Sequence, residues 1–256
     1  MSRGTVDNLS PGLEHGWHPV GLAGAEPPWR LLGREWTNAH SVCDRFGLRW
    51  VAPFEPRAPL PEVAEDDDPT MTRMIAPVGV WRAGAAQMAD NFADLGHLPF
   101  VHATSFADPD EAEVPRIVPV VTETGFSIEH RHRTMRLHGD GTGRRRMVIE
   151  VTAPFTVVLR LEYLDDDAVV TTLFAHQPVD GDTTVLWVVL WRDDIVDGRA
   201  TVEGAIAFQQ LVAEEDRRIV EALDSNAIAL DLTVEVHTLA DRPTVELRRL
   251  LTRFLA

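Results

Sequence analysis

Residues 90–102 crowd two histidines together with carboxylates, and this run carries the strongest chemical signal in the chain. His97 and His102 are five positions apart, and Asp94 precedes His97 by three. Imidazole and carboxylate ligands that leave coordination positions open are how proteins hold mononuclear non-haem Fe(II). On a straight helix, positions five apart point about 140° away from each other. Pro99 lies between the histidines and predicts a kink that turns both imidazoles toward one point.

Asp94 is expected to support this site rather than to join it. It precedes His97 by one helical turn on the same predicted face, so its carboxylate can orient that imidazole. The competing interpretation of the run is a pair of structural histidines near a helix end.

A third ligand is expected far along the chain, on a helix predicted over residues 200–230. Asp216 falls inside the apolar stripe of that helix, whereas Glu214 and Glu215 have an arginine one turn further on, as surface acids do. A buried carboxylate needs a cation, which a metal would supply; the alternative is an ion pair with a core arginine. The predicted stripe runs through Phe208, Val212, Ile219, Val220 and Leu223.

The elements that must position these residues follow from periodicity and turn signals. Strands in one block with helices on its flanks predict an α+β domain, in which an antiparallel sheet packs on a long helix near the C terminus. An acidic, proline-bounded linker is expected at residues 57–70. Strands are predicted at residues 17–23, 29–36, 46–52, 114–122, 125–137, 144–152, 155–164, 168–178 and 183–192, and helices at 82–96, 200–230 and 243–255.

Composition excludes several classes of function. The chain has 256 residues, is 45% hydrophobic and carries a net charge of −16, which argues against nucleic acid or an anionic membrane as partner. It contains no lysine, which excludes Schiff-base chemistry and a phosphate-loop lysine. Its single cysteine, Cys43, and the lack of a signal-peptide pattern favour a cytoplasmic protein. The acidic runs at 65–68 and 165–167 are expected to be solvated loops.

The histidine run and its flanks also resemble a known family. Asn91, Asp94, His97 and His102, in that spacing, with Asp216 in the segment 214–221, resemble the catalytic domain of the Rieske non-haem iron oxygenase α subunits. The resemblance covers most of the chain, because segments 16–20, 31–33, 46–51, 59–62, 240–245 and 248–250 also look like family segments.

The resemblance implies a helix-grip (START-like) fold that acts on a small apolar or aromatic molecule with O2. It implies that His97, His102 and Asp216 bind Fe(II), and that Asp94 links the iron site to the Rieske cluster of a neighbouring subunit. Asn91 and Asp94 are the catalytic candidates. A homo-oligomer, a trimer by resemblance, is expected.

The chain departs from the family where the Rieske cluster should lie. A [2Fe–2S] Rieske cluster needs two cysteines and two histidines. The interval 34–45 holds only Cys43 and His40. We therefore expect residues 1–56 to be a Rieske-domain remnant without cluster ligands, 57–70 a linker, and 71–256 the catalytic domain. The expected cofactor is mononuclear Fe(II) without a [2Fe–2S] cluster, so electrons must come from the substrate, a separate electron-transfer protein or a partner subunit.

The substrate pocket and the reaction class are less constrained by the sequence. Phe92, His176 and Trp187 are candidates for lining the pocket. An O2-dependent oxidoreductase is the leading hypothesis. One alternative is a redox-neutral lyase, hydrolase or cyclase that uses the metal as a Lewis acid. Another is a non-catalytic binding or structural subunit of an oxygenase complex.

Overall fold

The computed structural model describes residues 4–256, so residues 1–3 of the predicted first unit lie outside the described part. Its helices are α1 (Ala85–Ala93), α2 (Leu98–Val101), α3 (Val202–Val220) and α4 (Arg242–Phe254). Its strands are β1 (Thr5–Val6), β2 (His18–Leu22), β3 (Trp29–Leu31), β4 (Arg34–Trp36), β5 (Ser41–Arg45), β6 (Leu48–Ala52), β7 (Thr72–Trp81), β8 (Val120–Val121), β9 (Gly125–Met135), β10 (Thr142–Thr152), β11 (Thr156–Tyr163), β12 (Ala168–Pro178), β13 (Thr184–Arg192) and β14 (Ile228–Ala229).

A seven-stranded antiparallel sheet, in the order β7-β13-β12-β11-β10-β9-β8, organises the molecule. Side chains alternate between its faces, so Leu186, Val188 and Leu190 of β13 lie on one face and Val189 and Trp191 on the other. All five are buried, which shows that both faces are covered at this strand. The predicted α+β fold with an antiparallel sheet is confirmed.

Helices cover the inner face of the sheet. The ring of Phe92 on α1 stacks on Phe174 of β12, with 4.3 Å between ring centroids. Arg248 of α4 donates to Asp90 of α1 at 2.7 Å, which holds the last helix against the first. Burial of apolar area between these helices and the sheet is the main stabilising term.

The N-terminal strands cover part of the outer face. Strands β2, β6 and β5 form a small antiparallel sheet, and Phe46, Leu48 and Trp50 from it are buried in one cluster with Leu173 and Trp191 of the large sheet. This segment therefore completes the core of the large sheet.

The two acidic runs are not simply solvated, which corrects the expectation from the sequence. Glu65 is 7% exposed and its carboxylate accepts from Arg160 at 2.6 Å. The Asp166 carboxylate accepts from Arg136 at 2.8 Å. Leu60 and Val63 within the predicted linker are buried in the outer-face cluster. Arginines on β11 and directly after β9 bind these acids, and a run of acidic residues in the sequence does not reveal such partners.

Several element boundaries differ from the predicted ones. Strand β7 was not predicted, because its proline and glycine interrupt the alternation of apolar residues that is typical of a strand. It lies at a sheet edge, where Pro77 is tolerated. Strand β5 was also not predicted, and β8 covers two residues of the predicted 114–122. Helix α3 ends at Val220, ten residues before the predicted end, because turn-forming residues follow at 224–226. Within residues 4–256, no helix is long and apolar enough to cross a membrane.

Candidate metal centre

His97 and His102 flank the short helix α2, one at each end. The sequence predicted one helix kinked at Pro99, but α1 already ends at Ala93 and Pro99 lies in the first turn of α2. The break is made by Asp94, which is extended and whose carboxylate accepts the backbone N–H of Gly96 at 2.8 Å and of His97 at 3.0 Å. An aspartate that bonds nearby backbone N–H groups competes with helix continuation.

Asp216 lies on the buried face of α3, as predicted, although the face itself differs from the predicted stripe. The buried positions of α3 are Ala205, Gln209, Ala213, Asp216 and Val220. In contrast, Phe208, Ile219 and Leu223 are 37%, 38% and 53% exposed. Phe208 and Ile219 therefore lie at the rim of the helix and Leu223 lies beyond its end, whereas Ala205, Gln209, Ala213 and Val220 share the buried face with Asp216.

The three side chains meet at one point. Nε2 of His97 is 3.4 Å and Nε2 of His102 is 3.2 Å from Oδ1 of Asp216. One ligand atom from each residue lies within 4.8 Å of those from the other two. His102 and Asp216 are buried and His97 is half-buried. Two imidazole nitrogens and one carboxylate oxygen in this cluster form a donor set that fits a divalent metal ion.

Two neighbouring polar side chains hold the triad, and both were candidates from the sequence. Nδ2 of Asn91 donates to Oδ1 of Asp216 at 2.9 Å. Oδ2 of Asp94 is 3.4 Å from Nδ1 of His97, but the contact is too poorly aligned to be a hydrogen bond. Nδ1 of His97 has no other hydrogen-bond partner among residues 4–256. Asn91 therefore orients the carboxylate, while Asp94 acts on His97 mainly through the backbone turn.

Glu215 is a further part of the site that the sequence analysis assigned to the surface. Its Oε2 is 2.8 Å from Nδ1 of His102 and accepts from Ser105 at 2.7 Å. The arginines that follow bind other acids, since Arg218 contacts Glu214 at 3.5 Å and Arg217 contacts Glu221 at 2.8 Å. A carboxylate on the far ring nitrogen is the usual partner of a metal-binding histidine. Its adjacency to Asp216 was the only sequence signal for it.

The charges at the site favour a bound cation. Burial lowers the pKa of His97, but the nearby Asp216 and Asp94 carboxylates outweigh it and raise this pKa to about 9. Burial raises the pKa of Asp216, but His102 and His97 outweigh it and hold this pKa well below its usual range. The pKa of Asp94 also stays low, because contacts with His97 and Gly96 outweigh its burial. A metal ion would replace the proton that this cluster otherwise retains.

The triad opens onto a cavity between the inner face of the sheet and the helices. His97, His102 and Asp216 form part of its wall, and most of the remaining wall is apolar. Such a cavity suits a small apolar molecule. Its apolar lining includes Phe92, Phe106, Met147, Leu159, Phe174 and Leu190.

The structure brings one of the three pocket candidates to this cavity. Phe92 lines it. His176 lies on the same face of the sheet but bonds the carbonyl of Phe155 and packs beside the Phe92 ring. Trp187 lies on the outer face, in the cluster with Trp191, because odd-numbered residues of β13 point away from the cavity.

The fold and the triad together define a helix-grip domain with a candidate metal centre of two histidines and one carboxylate. The family comparison agrees: the family model for the vanillate O-demethylase oxygenase C-terminal domain matches residues 81–256. The chain belongs to this family. The predicted assignment to the Rieske non-haem iron oxygenases, and with it to an enzyme family, is confirmed.

Individual relatives extend the similarity into the N-terminal segment. The chain is 25% identical to methylxanthine N1-demethylase NdmA of Pseudomonas putida over 259 residues, which cover 97% of this chain and 72% of that protein. It is 25% identical to methylxanthine N3-demethylase NdmB of Pseudomonas putida over 197 residues, which cover 74% of this chain and 52% of NdmB.

Solved structures share the fold. Pseudomonas putida NdmA with caffeine superimposes with a TM-score of 0.75 at 18% identity, over 94% of this chain and 90% of that one. Dicamba monooxygenase bound to dicamba superimposes with a TM-score of 0.63 at 15% identity, over 84% of this chain and 69% of that one. Both support the helix-grip architecture.

Proposed function

We propose that the chain is a mononuclear non-haem iron enzyme of the O2-dependent oxygenase type, acting on a small aromatic molecule. The observation that carries the proposal is the triad of two histidines and one aspartate in the wall of an apolar, ring-lined cavity. Relatives whose names and titles refer to methylxanthines, caffeine and dicamba support a small ring compound as substrate.

In this proposal His97, His102 and Asp216 hold Fe(II), which when bound supplies the redox chemistry with O2. Asn91 orients the Asp216 carboxylate, and Glu215 orients the His102 imidazole and fixes its tautomer. Phe92 and the aliphatic side chains of β10, β11 and β12 exclude water from the bound substrate and hold its ring.

The electrons for this reaction are proposed to come from outside residues 1–256. The sequence has one cysteine, Cys43, and therefore lacks the ligands of a Rieske cluster. An electron-rich substrate or a separate electron-transfer protein would supply them. A redox-neutral metal-dependent reaction is the alternative that the same triad supports.

The test is to purify the chain anaerobically, measure its iron, and follow O2 uptake with methoxylated and N-methylated aromatic compounds. We expect one Fe(II) per chain, and O2 uptake coupled to substrate loss without an added reductase, in which both oxygen atoms enter the product so that the substrate supplies all the electrons. Strict dependence on an added ferredoxin-type protein would instead indicate an oxygenase assembled with a partner. Substrate loss without O2 uptake would indicate the redox-neutral reaction.

The domain division at 1–56, 57–70 and 71–256, the trimer and the cytoplasmic location belong to the same proposal. The packing of Phe46, Leu48 and Trp50 against the large sheet predicts that residues 1–56 and 71–256 unfold together. A single calorimetric transition would support this joint unfolding, and a trimeric mass by light scattering would support the trimer.

A further inference from the structure

Three arginines are buried in the described chain, and one of them lacks an acidic partner. Arg192 bonds Asp194 at 2.9 and 2.5 Å, and Arg248 bonds Asp90 at 2.7 Å and Glu235 at 2.9 Å. Arg145 is 2% exposed, and among residues 4–256 no carboxylate oxygen lies within 4.0 Å of its guanidinium. A buried cation without a counter-charge is costly and points to a partner that arrives from outside.

Neutral groups surround the Arg145 guanidinium. In the strand register, Arg145 of β10 pairs with His132 of β9 and Tyr163 of β11. It donates to Nε2 of His132 at 2.8 and 3.1 Å, and Nη1 donates to the Tyr163 hydroxyl at 3.3 Å. Burial and the nearby guanidinium lower the pKa of His132 to about 3, so this imidazole is a neutral acceptor. These contacts position the guanidinium without neutralising it.

Arg145 lies in the wall of the same cavity as the metal triad. Its Cζ is 5.0 Å from the ring centroid of Phe106, and the same ring stacks on His102 with centroids 4.7 Å apart. One aromatic side chain thus contacts both the guanidinium and a proposed iron ligand. A ligand of similar size, with an anionic group at one end, can reach both.

We propose that the substrate of this enzyme carries a carboxylate that Arg145 binds, so that its aromatic ring lies along the apolar wall toward His97, His102 and Asp216. This inference rests on the proposed function, in which the cavity holds the substrate. One guanidinium matches one carboxylate in charge and can bind it with two parallel hydrogen bonds. Arg145 is then the residue that selects aromatic acids over neutral rings.

The test compares benzoate with benzamide, which has the same ring and no charge, by titration calorimetry. Wild type should bind benzoate at least about tenfold more tightly than benzamide, both iron-loaded and after removal of the metal by a chelator. Arg145→Met should abolish this preference. Arg146→Met is the matched control, because Arg146 is the next residue on β10, points to the other face and already pairs with Glu129 and Glu162 at 2.7 Å.

The Arg145→Lys variant and a competition with inorganic phosphate test the proposal further. Arg145→Lys retains the charge and should retain part of the preference, which covers the case in which the methionine variant fails to fold. Inorganic phosphate at the same concentration should not displace benzoate, since it lacks the ring. Equal binding of benzoate and benzamide by wild type, a preference that survives Arg145→Met, or displacement by phosphate at equal concentration would each overturn the proposal.

The outcomes also separate this inference from the proposed function. A benzoate preference in a protein that never binds iron would refute the iron enzyme and leave an aromatic-acid binding cavity. Bound iron without a benzoate preference would refute the role of Arg145 and leave the metal centre. A preference seen only with iron present would place the carboxylate on the metal and overturn the inference.

Discussion

Two histidines near the cavity, one in the triad and one bonded to Arg145 of the cavity wall, have opposite protonation behaviour. At the triad, carboxylates outweigh burial and raise the pKa of His97 to about 9. Behind Arg145, burial and the guanidinium lower the pKa of His132 to about 3. Elsewhere in the described core, buried arginines such as Arg192 have carboxylate partners. This difference supports the two proposals made above, in which the triad holds a cation and Arg145 binds an anion.

Removing a ligand of the triad should have the largest effect, because it should abolish metal binding. Asp216→Ala, or His97→Ala, should abolish metal binding, because either leaves two of the three ligands. Metal analysis and circular dichroism measure occupancy and fold. Glu214→Ala, on the exposed side of the same helix, is the control and should keep full occupancy. Full iron occupancy in Asp216→Ala would show that the ligand assignment is wrong.

Glu215 should matter next most, since it is the closest partner of His102. Glu215→Gln removes the charge at the 2.8 Å contact with Nδ1 and should weaken metal affinity about 10- to 100-fold. The measurement is competition against a chelating dye. Glu214→Gln changes the adjacent residue in the same way and should leave affinity unchanged. Equal effects of both variants would mean that general charge, rather than orientation of His102, controls affinity.

Acid should destabilise the protein through His132, the histidine that bonds Arg145. The pKa of His132 is about 3 in the fold and about 6.5 in an unfolded chain, so the unfolded state binds more protons between these values. The free energy of unfolding should therefore fall as pH falls, by about 2 kcal/mol between pH 7 and pH 5 from this residue. Urea unfolding at both pH values measures it.

His132→Gln provides the comparison for that measurement, since its amide oxygen can still accept from Arg145. The loss of stability between pH 7 and pH 5 should be smaller in this variant. Buried His18 and His176, whose pKa values burial lowers to about 4, should maintain the rest of the acid dependence. An identical pH dependence in variant and wild type would show that His132 titrates normally.

Asp94 should have the smallest effect on the metal. Its contact with His97 Nδ1 is 3.4 Å, longer than that of Glu215 with His102, so Asp94→Asn should weaken metal affinity by only about tenfold. A chelator competition measures this as well. Unchanged affinity, with activity lost only when an external Rieske donor is supplied, would instead indicate a role in electron transfer between subunits.

Much of the fold and the proposed ligand set could be predicted from residue types and spacing. The alternation of apolar residues located β9 to β13, because a sheet with a buried face needs that period. His97, His102 and Asp216 stood out because their side chains are rare in apolar surroundings. The structure places them together, as the sequence predicted.

Which of two like neighbours faces the cavity was decided only by the tertiary structure. Glu214 and Glu215 are adjacent and identical, yet one contacts Arg218 at the surface and the other His102. Arg145 and Arg146 differ only in strand phase, which sends one guanidinium into the cavity and the other to acids on the outer face. The sequence determined which charged side chains this protein has. The orientation of each strand or helix against the core determined which of them face the cavity, because neighbouring residues on one element point in different directions.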